Sequence, residues 1–354
     1  MQHTIDTDRL NSFTFQILGD LGSTVSAAMI YLGDKLGLYS AMSGSESMSS
    51  LELAEKSGTH ERYVREWLAN QCAGGYIEYD PTLQTYRLPP EHAAVLADES
   101  GPAFMVGGFV AAVGAFQMLE NAEHAFKTGD GIDWGEHDHR MFCGVERFFG
   151  PAYRSLLVSE WIPSLDGVQA KLQAGGRIAD VGCGHGATAI LMAQAYPNAT
   201  VVGIDVHPAS IETARQRALT AGVADRVSFE CASAQSHTGR DYDLIAFFDC
   251  LHDMGDPHGA ARLAREALAP GGSLMLVEPM AGDKLEDNLN PVGRTYYGFS
   301  SLICTPASLA QEGRCGLGAQ AGEARLREVL NSAGFQNVRR SAETPVNLIL
   351  EAKA

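Results

Sequence analysis

The chain has 354 residues, is 45% hydrophobic and carries a formal net charge of -17. That apolar share excludes a disordered chain, and the acidity argues against nucleic-acid backbones or anionic membranes as main partners. Seven cysteines without CxxC spacing fit free thiols in a reducing compartment, MQHTIDTDRL lacks the layout of a signal peptide, and no apolar run reaches about 18 residues, so a cytoplasmic protein is expected.

From about Thr14 to Met42, apolar residues recur at helical spacing, and the glycines permit close packing, as against a second subunit. SMSSLELAEKSG predicts a helix capped by Ser49 or Ser50 and stopped by Gly58. THERYVREWLANQCAGG predicts another, with Thr59 as its cap. YIEYDPTLQTYRL alternates around a turn, which predicts a β-hairpin. Helix, turn, helix, hairpin is the order of a winged helix, and it fills a first domain over 1–100. Residues 101–170 read as a helical, aromatic-rich connecting region whose Phe148, Phe149 and Tyr153 are candidates to line a pocket.

From Lys171 onward strands and helices alternate. RIADVGCG, TVVGIDV, RVSFECASA, YDLIAFFDCL and SLMLVEPM read as strands, separated by helices such as PASIETARQRALTAG and DPHGAARLAREALAPGG. A helix (GEARLREVLNSAG) and two strands, FQNVRRSAE and VNLILEAKA, close the chain. Repeated βαβ units predict an α/β fold, a Rossmann-like, seven-stranded, doubly wound sheet over 171–354. Ligands of such sheets sit at the carboxyl ends of the strands, near the switch point of strand order.

The sharpest signal is IADVGCGHGA, where Gly182, Gly184 and Gly186 follow a strand and open a helix. Glycines there let the backbone turn tightly and approach a ligand closely. The next strand ends at Asp205, whose carboxylate suits the two hydroxyls of a ribose. Read as GxGxxA through Gly182, Gly184 and Ala187, the loop fits an NAD-dependent oxidoreductase. Read as DxGxGxG from Asp180, it resembles motif I of the class I S-adenosylmethionine-dependent methyltransferases. ECASA, YDLIAFFD and LAPGGSLMLVEP resemble that family's later motifs in order and spacing, and the two final strands match its terminal hairpin.

This resemblance covers about Lys171 to Ala354 and implies S-adenosyl-L-methionine as cofactor. It places Asp180, Gly182, Gly184 and Gly186 along the methionine part, Asp205 on the ribose and Val206 against the adenine. Ala232 and Ser233 would flank the adenine edge, where many relatives carry an acid. Phe248 and Asp249 would lie beside the sulfonium, and Cys183 would fill space within the loop. A winged helix ahead of such a domain resembles the two-domain small-molecule O-methyltransferases of plants and of bacterial secondary metabolism, and an uncharacterised two-domain group in actinobacteria. That resemblance implies a homodimer formed through the first domain and a small-molecule acceptor. A DNA-binding regulator that senses the cofactor is the other reading of a winged helix, but residues 1–100 hold 14 acids against 6 Lys or Arg, the wrong sign for neutralising phosphates.

Methyl transfer is an in-line displacement, and an oxygen acceptor is helped by losing its proton. In plant-type O-methyltransferases the base is the histidine of an H-D-W stretch backed by a glutamate. The matching residues here are His252-Asp253-Met254 and Glu278, with methionine in place of tryptophan. The same stretch also fits L-H-x-x-x-D-P, in which His252 is a loop or cofactor-side residue, Asp256 caps the next helix and Pro257 opens it. A loop-rich insertion over about 283–320 is expected to form a lid. Its Tyr296, Tyr297 and Phe299 either line an apolar acceptor pocket or pack the lid, and Arg294 and Asn290 are polar candidates. Three thiols (Cys250, Cys304, Cys315) raise the question of trivalent arsenic, and three carboxylates (Asp249, Asp253, Asp283) that of a catalytic metal, but nothing demands either and no metal is expected.

Overall fold

The computed structural model describes residues 5–354. Local signals explain how the chain begins. The Asp6 side chain accepts hydrogen bonds from the backbone N–H groups of Asp8 and Arg9, so the first helix opens at Thr7 and runs to Lys35. Gly37, at φ 67°, ends it and starts a short helix Leu38–Met42, splitting the single helical run expected from the sequence. Ser49 caps the helix Ser50–Ser57 through a reciprocal capping box with Glu52, and Gly58 stops it in the left-handed region. The next helix, Glu61–Ala73, is capped by His60, whose ring accepts from the Arg62 N–H. Thr59 is therefore not the cap; its hydroxyl lies 2.8 Å from that of Ser57. A hairpin of β1 (Glu78–Asp80) and β2 (Thr85–Arg87) follows.

Two compact units make up the described chain. One takes residues up to Phe116 together with Asp138–Ala152, and the other takes Gln117–His137 and Tyr153–Ala354. The first is built on an apolar core that includes Leu53, Leu68 and the edge-on pair Tyr39 and Trp67. Its Arg147 donates to Asp34 at 2.7 and 2.8 Å and to Glu99 at 2.9 Å, tying three segments of this unit together.

The second unit carries β3 (Arg177–Val181), β4 (Thr200–Asp205), β5 (Val227–Cys231), β6 (Tyr242–Phe248), β7 (Leu268–Pro279), β8 (Asn337–Glu343) and β9 (Asn347–Lys353). They form one sheet in the order β5-β4-β3-β6-β7-β9-β8. The first five strands pair in parallel, and β9 runs antiparallel to both β7 and β8. The chain builds outward from β3 to β4 and β5 on one side, then crosses back to β6 on the other. The carboxyl ends of β3 and β6 therefore frame the switch-point crevice where ligands settle in such sheets.

Two expectations about local structure are corrected. The segment LAPGG does not extend the preceding helix, which ends at Ala267. Leu268 turns to extended geometry and pairs with Tyr242, and Pro270 has no N–H to offer a helix. The insertion after β7 is largely helical rather than loop-rich, with helices Pro291–Phe299 and Thr305–Ala310 joined by a π turn at Ser300–Cys304. Its helical start follows from an Asn290 cap with Pro291 at the first helical position. No helix among the described residues is long and apolar enough to cross a membrane.

Candidate active site

The glycine loop leaves the tip of β3 with all three glycines at positive φ: 76° at Gly182, 51° at Gly184 and 78° at Gly186. The three serve different ends. A Cβ on Gly182 would fall 2.6 Å from the Cys250 sulfur, and one on Gly186 would fall 2.9 Å from both Ala214 and the Phe229 ring. These two allow close packing, whereas a Cβ on Gly184 would meet nothing within 4 Å. Gly184 thus presents bare backbone to open space, the condition for a ligand to lie against the chain. Behind the loop, Asp180 is fully buried and accepts from the Thr188 hydroxyl at 2.5 Å. Its other oxygen, Oδ1, has no hydrogen-bond partner. Burial, with some help from the charge of Asp205, pushes its carboxyl up to about 7. Cys183 is buried, and its sulfur lies 2.9 Å from where a Cβ on Gly203 would be, so it fills space beneath the loop. Burial holds its thiol well above the ordinary range.

Asp205 ends β4 with both carboxylate oxygens fixed by main chain: the Gly184 N–H donates at 2.9 Å and the His207 N–H at 2.8 Å. Val206 follows with 57% of its surface exposed. Ala232 and Ser233, just past β5, are half-buried; Ala232 donates its N–H to the Asp205 carbonyl at 3.0 Å, and the Ser233 hydroxyl donates to Ser236.

The tip of β6 faces the loop. The Cys250 thiol donates to the Val181 carbonyl at 3.2 Å, which joins the ends of β3 and β6. Phe248 is buried and packs on the Tyr153 ring, with centroids 5.3 Å apart. Asp249 has φ 49° and is half-buried. It accepts from the Tyr153 hydroxyl at 2.5 Å and from Asn347 Nδ2 at 2.7 Å. Desolvation by the surrounding protein, reinforced by Glu278, pushes its carboxyl up to about 8 against the pull of Tyr153, His252 and Asn347.

His252 sits in the turn Leu251–Asp253, almost wholly buried. Its Nδ1 is in a short contact with a Glu278 carboxylate oxygen, and the other Glu278 oxygen accepts from the Leu251 N–H at 3.0 Å. The Nε2 lies 3.1 Å from Asp253 Oδ1, although that oxygen makes no hydrogen bond of acceptable geometry. Burial disfavours the charged ring, but Asp253 and Glu278 more than offset it and hold the imidazole well above the ordinary histidine range. Asp256 accepts from the Gly259 N–H at 2.8 Å and caps the helix that opens with Pro257.

The aromatic candidates separate. Tyr153 reaches the β6 tip, as described. Tyr296 is buried and donates to the Val346 carbonyl at 3.0 Å, while Tyr297 and Phe299 are half-buried on the same helix. Phe148 belongs to the other unit and packs edge-on against Phe149. Arg294 is exposed, and Asn290 is occupied as a helix cap. The three thiols do not converge: Cys250 faces Val181, and only Cys304 joins His252 and Asp253, with ligand atoms all within 4.8 Å of one another. Nor do the three carboxylates, since Asp283 Oδ1 accepts from the Ala324 N–H at 2.8 Å.

Two residues had escaped the sequence reading, Asn347 and His137, and a third, Cys304, had been a candidate only as one of three thiols. Asn347 supplies a donor to Asp249, and Cys304 joins the histidine cluster. His137, at the end of the turn Trp134–Glu136, is buried with neither ring nitrogen hydrogen-bonded. Burial lowers its pKa against the charges of Asp253 and Asp133, leaving a neutral ring that faces the same cluster. Asn347 had a readable signal, a polar residue opening an otherwise apolar strand; His137 had none.

Known proteins resemble the chain in two stretches. Residues 24–98 match the family described as Rv2258c-like winged HTH domain, and residues 172–334 match the family described as methyltransferase domain. A 27-O-demethylrifamycin SV methyltransferase of Amycolatopsis mediterranei is 35% identical over 150 residues, 40% of this chain and 55% of that protein. The chain thus spans about half the length of curated relatives it matches. Among solved structures, mitomycin 7-O-methyltransferase superposes with a TM-score of 0.70 at 17% identity, over 99% of this chain and 100% of that one. Human N-acetylserotonin methyltransferase, solved in complex with S-adenosylmethionine, gives 0.66 at 16% identity over 100% and 99% of the two chains. At those identities the likeness is one of fold.

Proposed function

We propose that this chain, a winged-helix domain joined to a methyltransferase domain of the class I fold, moves the methyl group of S-adenosylmethionine to a small, partly apolar acceptor. Oxygen is the favoured acceptor atom, ahead of nitrogen. One observation carries the reading: the open face of Gly184 lies beside Asp205, whose carboxylate is pinned by two backbone N–H groups at the tip of β4. Such a carboxylate accepts a pair of ribose hydroxyls, and the exposed Val206 beside it offers an apolar face to an adenine. Ala232 and Ser233 flank that edge. Asp180, Gly182 and Gly184 take the methionine part, and Gly186 shapes their turn. Phe248 and Asp249 border the sulfur.

The cofactor supplies a methyl on a positively charged sulfur, open to in-line attack. The chain must bring an acceptor into line, keep water away and take up a proton. His252, steadied at Nδ1 by Glu278, is the proton acceptor in this proposal. Because its folded value is raised, it gives up its proton at higher pH than an ordinary imidazole, so turnover should rise with pH. His252→Ala should lower turnover and leave cofactor affinity nearly unchanged; unaltered turnover would remove the assignment. Tyr153, Tyr296, Tyr297 and Phe299 supply apolar surface on the acceptor side.

A homodimer formed through residues 1–100 fits the first helix. Its Leu10, Phe13, Ile17, Leu21 and Val25 recur at helical spacing and are each at least 49% exposed, an apolar stripe suited to a second copy of itself. Light scattering giving a monomer would sink the dimer. A DNA-binding role is disfavoured because the basic groups of the helix Glu61–Ala73 are already paired, Arg62 with Glu66 and Arg65 with Glu61. We place the protein in the cytoplasm, in keeping with its free cysteines. The decisive experiment is calorimetry on the full chain: S-adenosylmethionine should release heat on binding and NAD should not. The reverse pattern would overturn the proposal in favour of an oxidoreductase.

A further inference from the structure

We propose that Asp249 is the counter-charge by which this site tells the cationic cofactor from its neutral thioether product. The inference rests on the cofactor reading above and adds to it a reason for the product to leave.

The placement comes from the fold. Asp249 is the first residue beyond β6, at the switch-point crevice, and the next residue touches the glycine loop: Cys250 donates to Val181 and closes on Gly182. The residue is half-buried, so it is still within reach of solvent at the carboxyl end of the sheet. Its φ of 49° is a conformation that non-glycine residues seldom adopt. Such geometry persists where surrounding contacts enforce it, and functional sites are where it collects. Here the enforcing contacts are two neutral donors, the Tyr153 hydroxyl and the Asn347 amide.

What the carboxylate lacks is a cation. Among the described residues no lysine or arginine is paired with it, and the positive group that bears on it, His252, is engaged by Glu278 and Asp253. The other groups that face it are Glu278 from β7, the Tyr296 hydroxyl from the lid and the Cys250 thiol beside it, while Asp180 stands behind the loop. The crevice is therefore acidic and short of positive charge. Asp180 Oδ1, buried behind the loop without a hydrogen-bond partner, adds to that acidity. A sulfonium placed beside Asp249 satisfies the carboxylate; once the methyl has gone, the sulfur is a neutral thioether and the attraction is lost.

S-adenosylmethionine and S-adenosylhomocysteine share the adenosine, the amine and the carboxylate, and differ by one methyl and one charge. Contacts made by Asp205, Val206 and Gly184 therefore cancel in the ratio of the two affinities, which isolates the charge. With its carboxyl pushed up to about 8, Asp249 ionises across the accessible range. The preference for the cationic ligand should therefore grow as pH rises.

The test is calorimetric titration of the full-length protein with each ligand between pH 6.5 and pH 9. S-adenosylmethionine should bind about tenfold tighter than S-adenosylhomocysteine at the alkaline end, with the ratio falling toward about twofold at the acid end. In Asp249→Asn the ratio should be near unity and flat with pH. A ratio in the unaltered protein that ignores pH would overturn the proposal without any variant, and so would a preference that survives Asp249→Asn. Heat from neither ligand would sink the cofactor reading and this proposal with it. Equal heat from both would sink the role of Asp249 alone.

Discussion

Asp205 and Asp249 stand at the tips of β4 and β6, the two strands that flank β3, yet the chain holds them in opposite ways. Asp205 is fixed by backbone N–H groups, from the neighbouring loop and from two residues on. Its geometry is set by the path of the main chain and changes little with side-chain motion. Asp249 is held by side chains that arrive from distant segments, Tyr153 and Asn347, and its backbone is forced into the left-handed region. A carboxylate locked by backbone suits the recognition of fixed, neutral hydroxyls. One held by neutral side chains in a crevice short of cations responds to charge. The same residue type thus reads shape on one side of β3 and charge on the other.

The largest expected effect lies on the β6 side. Glu278→Gln removes the charge beside Nδ1 of the buried His252 ring, and breaking a buried pair costs about 3–5 kcal/mol, to be read by denaturant unfolding. A cost below about 1 kcal/mol would mean that Asp253 alone can hold His252, and the contrast between the two tips would weaken. The pH dependence has a definite sign. His252 is raised in the folded chain, so its contribution is complete below the unfolded histidine value of about 6.5 and is lost as pH rises through the folded value. Glu278→Gln should remove much of that alkaline loss.

On the β4 side, Asp205→Ala should weaken S-adenosylmethionine about tenfold to a hundredfold, as expected for lost hydrogen bonds to a charged acceptor. Both nucleosides should suffer alike, leaving their ratio intact, whereas Asp249→Asn should change the ratio. If the ratio moved with Asp205 as well, shape and charge would not be separable between the two tips. The smallest effect should come from Val206→Ala, about threefold in cofactor affinity from the lost apolar contact. Because the side chain is exposed, thermal unfolding of the ligand-free protein should not change.

Much of this site could be read from local chemistry. Strand, glycine loop, helix and terminal acid are each encoded within a few residues, so the turn through Gly182, Gly184 and Gly186 and the strand that ends at Asp205 form where the spacing put them. The pairing of His252 with Glu278 was implied by the resemblance to plant-type O-methyltransferases, and the two side chains do meet at the ends of adjacent strands. What escaped depends on tertiary contacts or on competing local signals. Thr59 and His60 can both cap a helix, and only the turn geometry selects His60. The stretch LAPGG carries no helical stop before Pro270, yet pairing of Leu268 with Tyr242 draws it into β7. His137 and Cys304 face the histidine cluster only because the segments bearing them, far apart in sequence, pack over the same crevice. The resemblance to a family likewise said nothing of the neutral donors around Asp249.

Those same segments bear on how the molecule comes together. Arg314 donates to the Gly129 carbonyl at 2.7 Å and Ile132 to the Pro306 carbonyl at 3.0 Å. Gly131 lies so close to the lid that a Cβ there would fall 2.0 Å from the Ala310 nitrogen. This clasp joins positions 185 apart in the chain, on either side of most of the sheet. Contacts of such separation carry a larger loop-closure cost than contacts between neighbouring strands, and we expect them to form late. If so, during refolding the sheet's own signal should mature before the protein gains the ability to bind its cofactor.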